Sequence, residues 1–512
     1  MSDWGAQHTS VLSALAGLDM AMPGDLFGTS PTGYNSNWGG ALTEAILAGQ
    51  IPQWRLDDMA VRIMAAYFKV HPEGTETEER VPINFSAWTQ ETYGPAYPSA
   101  NMSWEVVNKH VDVMRGGEHA ALIREIGSKS IVLLKNKGGA LPLKKPASMA
   151  IIGEDAFDNA DGPNACVDRG CNNGTLAMGW GSGTSEFPYL VSPFTALYSK
   201  TSREGTDLSI VTSNFDLEVA REAAAGVSVA LVFANANAGE NYISIEDNAG
   251  DRQNMTLWKG GDVLVRTVAS VQPNTILVLH TVGPVLLEEY RNHPNITAIL
   301  WAGLPGQESG NSLLDVLYGV VSPQGRSPFT WAKDPADYGV DLLYTSASRS
   351  PSQDLNGGLF IDYRHFDAES VEPSYEFGFG LGYTTFSYSD LEIEGRPGQP
   401  YEAYRPPGKT AEAPTYGRAN GSREEYMAPP DFEPVPKHVY SFLKEGGKAP
   451  ADVKLPEEAR NGAPQGFLPA GGAPGGNPGL YEVIYKVSAK IENNGDVAGT
   501  EIPQLVSCKH PP

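Results

Sequence analysis

The stretch Val229–Arg252, VALVFANANAGENYISIEDNAGDR, opens on an unbroken apolar run and continues into a long polar loop. A short apolar run with β-branched and aromatic residues and no alternation predicts a strand over Val229–Phe233 buried on both faces. Strands of that kind are usually parallel and need crossover connections, so helical patterns should flank them. Strand-like runs at Met149–Gly153, Thr275–His280 and Ile296–Trp301 do alternate with helical stretches at Asp262–Val271 and Gly310–Tyr318. From about residue 116 to 335 the chain therefore reads as α/β, with a mainly parallel sheet and helices on both faces. Ligands in that architecture bind outside the carboxyl ends of the strands, which makes the polar loop after Phe233 the place to look for chemistry.

Toward the N-terminus, His8–Ala16 is compatible with a helix and Leu18–Met22 with a short strand stopped by Pro23 and Gly24. Leu56, Met59, Ile63, Ala66 and Val70 recur at helical spacing and predict an amphipathic helix. Residues 1–70 thus hold one or two β/α units, too few to bury both faces of a sheet, and read as the edge of something larger. Residues 71–115, rich in Pro, Gly, Tyr and Ser, read as a linker. On the other side, Tyr375–Phe386 (YEFGFGLGYTTF) suits packing and turns better than a cofactor loop, within a unit running from 116 to 390. Residues 391–478 lack durable periodicity and read as an insertion or linker. Over residues 479–512, alternation from Leu480 predicts two or three strands of a β-sandwich, fewer than the seven or so such a fold needs.

At 512 residues the chain allows two to four domains, at roughly 150 residues each. A net charge of -24 argues against nucleic acid or an anionic membrane surface as partner, since both would repel it. No apolar stretch approaches the roughly 18 residues of a membrane span. Cys166 and Cys171 sit in a Gly/Asn-rich loop at a spacing that can close a small disulfide ring; two Cys without nearby His offer too few ligands for the competing zinc site. Cys508 is left over. Glycosylation sequons at Asn84, Asn101, Asn173, Asn254, Asn295 and Asn420 favour an oxidising, secretory compartment. The opening MSDWGAQHTS has neither the basic nor the apolar region of a signal peptide, so either the protein is not secreted or its true beginning lies upstream.

Several chemistries fail on spacing. MGWGSG (Met178–Gly183) follows no strand and lacks both G-x-G-x-x-G and Lys-Ser/Thr, which leaves a tight turn near a ligand rather than a phosphate loop. The nine histidines show no metal spacing, so no metal is expected, and no G-x-S-x-G elbow occurs. Carboxylates remain. Most are solvated surface groups or helix caps, but Asp3 lies beside Trp4 with His8 near, and Glu240 lies in the post-strand loop beside Tyr242. Paired carboxylates with aromatic neighbours suit glycoside cleavage, one attacking the anomeric carbon and the other protonating the leaving oxygen.

MSDWGAQHTSVLSALAGLDMAMPGD at the N-terminus resembles the nucleophile segment of fungal-type β-glucosidases of glycoside hydrolase family 3. Ser130–Asn136, CVDRGCNNGTLAMGWGSG, Trp301–Asn311, Gly358–Asp367, LPAGGAPGGNPGLY and NNGDVAGTEIPQL are similar to the same group, so the likeness covers nearly the whole chain. The resemblance implies the C-terminal remnant of a (β/α)8-like barrel, then an α/β sandwich domain, then a partial fibronectin type III-like β-sandwich. It implies hydrolysis of terminal non-reducing β-D-glucosyl residues of cellobiose and cello-oligosaccharides with retention, in cellulose degradation, outside the cell and without a cofactor. Asp3 takes the nucleophile position. Glu240 takes the acid/base position in a G-E-G-Y-like pattern where Asn241 replaces the usual Gly; Glu246 and Asp247 are its rivals. Trp4 is similar to a wall of the glucose pocket, Tyr242 and Phe27 to aromatics lining the leaving-group site, and Ser182 to a residue on the active-site rim. The sequence departs from the family in the barrel strands that precede Asp3 in relatives, in Gly382 where Ser is usual, and in its ending. Those departures leave open a catalytically inactive fragment, and the residues alone do not separate glucoside from xyloside.

Overall fold

The computed structural model describes residues 1–22, 37–38, 40–70, 93–95, 103–105, 118–240, 243–341, 343, 354, 357–395 and 483–505. Phe27, Asn84, Asn101, Asn241, Tyr242, Asn420 and Cys508 lie outside the described residues. The chain divides into two compact units, Met1–Asp112 with Glu392–Ser488, and Val113–Leu391 with Ala489–Pro512.

In the first unit α1 (Val11–Leu15) is shorter than the helix expected from His8 to Ala16, and Met22 makes one parallel bridge to Trp4 where a strand was expected over Leu18–Met22. A helix the sequence reading missed, α2 (Gly40–Leu47), precedes α3 (Gln53–Val70), which covers the predicted amphipathic segment. Ala14, Leu42, Ala45, Ile51 and Met59 form the local core. Arg55 is only 2% exposed within it. Its guanidinium donates to the carbonyls of Ala14 (2.7 Å) and Leu18 (3.0 Å) and to Asp19 (2.8 Å) and Asp58 (3.0 Å). One buried cation thereby ties α3 to the end of α1 and to the segment that pairs with residues 2–5. The stretch expected to be a linker holds a short antiparallel pair, β1 (Tyr93–Pro95) with β2 (Ser103–Glu105).

The second unit is built on a six-stranded sheet. In chain order its parts are α4 (Glu118–Ser130), β3 (Val132–Asn136), β4 (Ser148–Ile152), α5 (Pro193–Glu204), β5 (Asp207–Val211), α6 (Leu217–Ala224) and β6 (Val229–Ala236). A small hairpin, β7 (Ser244–Ile245) with β8 (Asn248–Ala249), follows, then α7 (Gly261–Val271), β9 (Thr275–Thr281), α8 (Glu288–Asn292), β10 (Ile296–Trp301) and α9 (Ser309–Leu317). Strand order is β3-β10-β9-β6-β4-β5. Every pairing is parallel except that of the edge strand β3, which runs antiparallel to β10. Every residue of β6 is buried, as its unbroken apolar run requires of a strand covered on both faces. Alternate side chains feed two separate cores. Val232, Ala234 and Leu277 pack with Leu264, Val265 and Val268 of α7, while Leu231, Phe233 and Val278 pack with Leu313, Val316 and Leu317 of α9. After α10 (Tyr363–Glu369), the aromatic run Tyr375–Phe386 returns along the domain through bridges from Tyr375 to Trp331 and from Leu381 to Leu133. β11 (Phe386–Gly395) then pairs with β12 (Tyr485–Asn493) as a two-stranded sheet.

Candidate active site

The carboxyl end of β6 delivers the loop that the sequence pointed to. Asn237 is fully buried at its start, and Glu240 is exposed at its tip. A second segment, Leu176–Ser182, runs beside it and meets it through a parallel bridge from Trp180 to Gly239. The Trp180 indole N–H donates to the Glu240 carbonyl (3.0 Å), and the Ser182 hydroxyl donates to Glu240 Oε1 (2.6 Å). Main chain and carboxylate of Glu240 are thus held by the same short segment. Gly239 is required here, because a Cβ would lie 2.3 Å from the Trp180 carbonyl oxygen and 2.5 Å from its indole ring. Trp180 itself is 4% exposed and packs against Trp258 with the ring planes tilted by 41° and the centroids 6.1 Å apart, so the MGWGSG turn is anchored in the core and its Ser182 end is the exposed one.

The rival carboxylates sit differently. Glu246 accepts from Asn172 Nδ2 at 3.5 Å and pairs with Lys259 at 3.9 Å, and burial pushes its carboxyl above the usual range against the pull of that lysine. Lys259 is shared with Glu154 (2.6 Å) and with the carbonyl of Asn172. Glu246 therefore belongs to a cross-linked cluster that ties the loop to its neighbours. Asp247 is exposed, and its backbone carbonyl accepts from the Gln253 side chain at 3.4 Å.

Asp3 belongs to the first unit. The N–H of Ser2 donates to Met20 (2.9 Å) and that of Gly5 to Met22 (2.8 Å), while Met22 N–H donates to Ser2 Oγ (2.8 Å). Asp3 lies within this parallel pairing, at the first position of a turn: its carbonyl accepts from Ala6 N–H at 3.2 Å, and Gly5 takes φ 73° as the third residue of the turn. The turn sets Asp3 and Trp4 at the surface, Trp4 59% exposed.

Cys166 and Cys171 are joined in a disulfide with Cα atoms 5.9 Å apart. Of the sequons, Asn173 and Asn254 are exposed, and Asn254 Oδ1 accepts from the hydroxyl (2.7 Å) and N–H (3.1 Å) of Thr256. Asn295 is half-buried, with its amide donating to the Ala269 carbonyl at 2.8 Å. Among the described residues no cluster of His, Cys, Asp and Glu could hold a metal ion, and no helix is long and apolar enough to cross a membrane. Trp180 escaped the sequence reading; its one signal was a large aromatic inside a glycine-rich turn, where a plain surface turn has no use for it.

Comparison with known proteins shows what the chain is similar to. Residues 131–383 match the glycosyl hydrolase family 3 C-terminal domain. Probable beta-glucosidase A of Aspergillus clavatus is 49% identical over 519 residues, covering 99% of this chain and 58% of the relative. Beta-glucosidase A of Aspergillus kawachii is also 49% identical, with 99% and 59% covered. Among solved structures, the Chaetomium thermophilum beta-glucosidase superposes with a TM-score of 0.83 at 49% identity, covering 97% of this chain and 60% of that one. A glycoside hydrolase family 3 beta-glucosidase from Neurospora crassa gives a TM-score of 0.82 at the same identity and coverage. The chain spans less than two thirds of the length of each of these relatives.

Proposed function

From the premise that the chain belongs to the fungal β-glucosidases of glycoside hydrolase family 3, we propose that it carries the two catalytic carboxylates of a retaining β-glucosidase, Asp3 as nucleophile and Glu240 as acid/base. The observation that carries the proposal is the grip of Ser182 and Trp180 on Glu240, which holds its carboxylate and its backbone carbonyl at the tip of the loop after β6. In the first step Asp3 attacks the anomeric carbon while Glu240 gives its proton to the departing oxygen, leaving a glucosyl ester on Asp3. In the second, Glu240 takes a proton from water, the water oxygen attacks the same carbon, and Asp3 departs with the configuration restored.

Around this pair, Trp4 offers an aromatic face to the sugar, Phe27 and Tyr242 contribute to the leaving-group side, and Ser182 completes the rim. The substrates are small neutral β-glucosides such as cellobiose, in keeping with the net charge of -24. Residues 1–70 form the last β/α units of a barrel, 71–115 link them to an α/β sandwich domain over 116–390, and 391–478 connect it to fibronectin type III-like strands over 479–512. The whole protein works outside the cell, with exposed Asn173 and Asn254 as glycan acceptors.

Leaving-group dependence is the test. Glu240→Gln should lower turnover of cellobiose by about 10²–10⁴-fold, as loss of a general acid does. Formation of the glucosyl-enzyme from 2,4-dinitrophenyl β-glucoside, whose leaving group needs no proton, should persist, and azide should then yield β-glucosyl azide. Asp3→Asn should abolish turnover of both. The proposal fails if Glu240→Gln affects both substrates alike while Glu246→Gln produces the leaving-group dependence.

A further inference from the structure

Beneath the loop that carries Glu240 lies a buried polar cluster that the two-carboxylate chemistry does not use. Asp155, in the turn after β4, is 1% exposed, and His280, on β9, is 0% exposed. Asp155 Oδ2 meets His280 Nδ1 at 2.6 Å. Its other oxygen, Oδ1, accepts from the backbone N–H of Leu176 (2.8 Å) and from the side-chain amide of Asn235 (3.2 Å). Asn235 is the register partner of His280 across β6 and β9, and its amide oxygen accepts from Asn172 at 3.1 Å.

The donors to Oδ1 come from the two segments that meet at Glu240. Leu176 begins the segment that ends in Trp180 and Ser182; Asn235 lies at the end of β6, from which the Glu240 loop departs. The Asn235 carbonyl also accepts from Trp258 N–H at 2.8 Å, and Trp258 packs on Trp180. Among the described residues His280 Nε2 makes no hydrogen bond and the ring's one polar contact is with Asp155, which aims the carboxylate. A carboxylate this deeply buried is costly unless each oxygen is occupied, and here both are.

We propose that Asp155, oriented by His280, is a positioning residue for Glu240, its carboxylate locking the Leu176–Ser182 segment to the end of β6 so that Ser182 and Trp180 meet the acid/base in register. The proposal rests on Glu240 being the acid/base.

Hydrogen exchange read by mass spectrometry tests the lock in the full chain, alongside cellobiose and dinitrophenyl glucoside kinetics. In Asp155→Asn, which turns one acceptor oxygen into a donor, peptides over 176–183 and 237–240 should exchange about tenfold faster while β4 and β9 stay protected, the signature of local opening. Cellobiose turnover should fall about tenfold with the dinitrophenyl glucoside within about threefold, the pattern of a misplaced general acid. Should Asp155→Asn not fold, Asn235→Ala, which breaks one link and keeps the carboxylate, decides on the same readouts. The proposal is overturned if both segments exchange as in wild type, if exchange rises across the whole sheet together, or if both substrates slow equally. A wild-type leaving-group pattern in Glu240→Gln sinks the acid/base assignment instead, and faster exchange confined to the two segments would then still show Asp155 to be the lock.

Discussion

Ser182 and Glu240 meet across 58 residues of chain, and what joins them is one hydroxyl on one carboxylate oxygen. A hydrogen bond at an exposed site contributes about 1 kcal/mol, so Ser182→Ala should lower kcat/KM for cellobiose about fivefold. Ser182→Thr, which keeps the hydroxyl, should recover most of that loss; an alanine variant with unchanged cellobiose kinetics would remove Ser182 from the site. Gly239 makes a sharper case, since its missing Cβ is what lets the Trp180 carbonyl and indole close on the loop. Gly239→Ala should open the Trp180–Glu240 contact, red-shift tryptophan emission and cost about 2 kcal/mol in a urea titration, the size of an overpacking defect. That a long polar loop should leave the carboxyl end of a buried strand after Phe233 was legible in the residue pattern. That Ser182 and Trp180 reach Glu240 rather than Glu246 or Asp247 was not legible, because sequence spacing within one loop carries no information about a segment so far upstream. Asp155 was hidden for a related reason, its partner His280 being embedded in an apolar run that reads as core.

Elements with an unbroken apolar run or a clear apolar stripe were the readable ones, β6 and α3 above all, because burial on both faces or on one stripe is written directly into the residue pattern. Short elements and strand direction were not. α2 lacks a clear stripe, and nothing local to Val132–Asn136 marks it as the antiparallel edge, since direction is decided by the connection rather than the strand. Arg55 went unread because a lone cation on an amphipathic helix is ordinarily solvated, whereas here it is 2% exposed and serves four acceptors. Removing it takes the guanidinium's hydrogen bonds from Asp19 and from the Ala14 and Leu18 carbonyls, so Arg55→Ala should destabilise the first unit by about 3 kcal/mol, as breaking a buried pair does. Hydrogen exchange over residues 11–22 should accelerate in step, and unchanged protection there would show that α3 is held by its apolar face alone. In the second unit, Lys135 at the end of β3 donates to the carbonyls of Tyr290 (3.3 Å) and His293 (2.9 Å) near the end of α8. Burial, with Lys137 adding repulsion, holds its ammonium down to about 8. Between that value and the ordinary lysine range the unfolded chain binds the proton and the folded one does not, so stability attributable to this group rises with pH through that window. Comparing urea midpoints at pH 7 and pH 10, wild type should gain on Lys135→Gln as pH rises; a gap that narrows in the opposite sense would mean the ammonium is stabilised rather than penalised by its surroundings.

Across the whole chain, 61 acidic residues face 37 basic ones, and the net charge of -24 is a property of neither unit's fold but of the surface they present together. Like charges spread over a surface repel at distances that about 0.15 M salt screens to roughly 8 Å, and that repulsion opposes the compact state. Raising sodium chloride from about 10 mM to about 300 mM should therefore raise Tm by about 1 °C, the shift a relief of about 1 kcal/mol produces in a chain of 512 residues. The same field bears on substrate choice. A neutral glucoside feels no long-range force, so kcat/KM for cellobiose should stay within about twofold over that salt range, whereas a β-glucoside with an anionic aglycone should improve as salt screens its approach. Salt-insensitive turnover of the anionic glucoside would show that the net charge exerts no long-range force on the approaching substrate. A Tm that fell with salt would show that ion pairs such as Arg124–Asp315 and Arg326–Glu501, at 2.6 and 3.1 Å, contribute more to stability than the excess negative charge takes away.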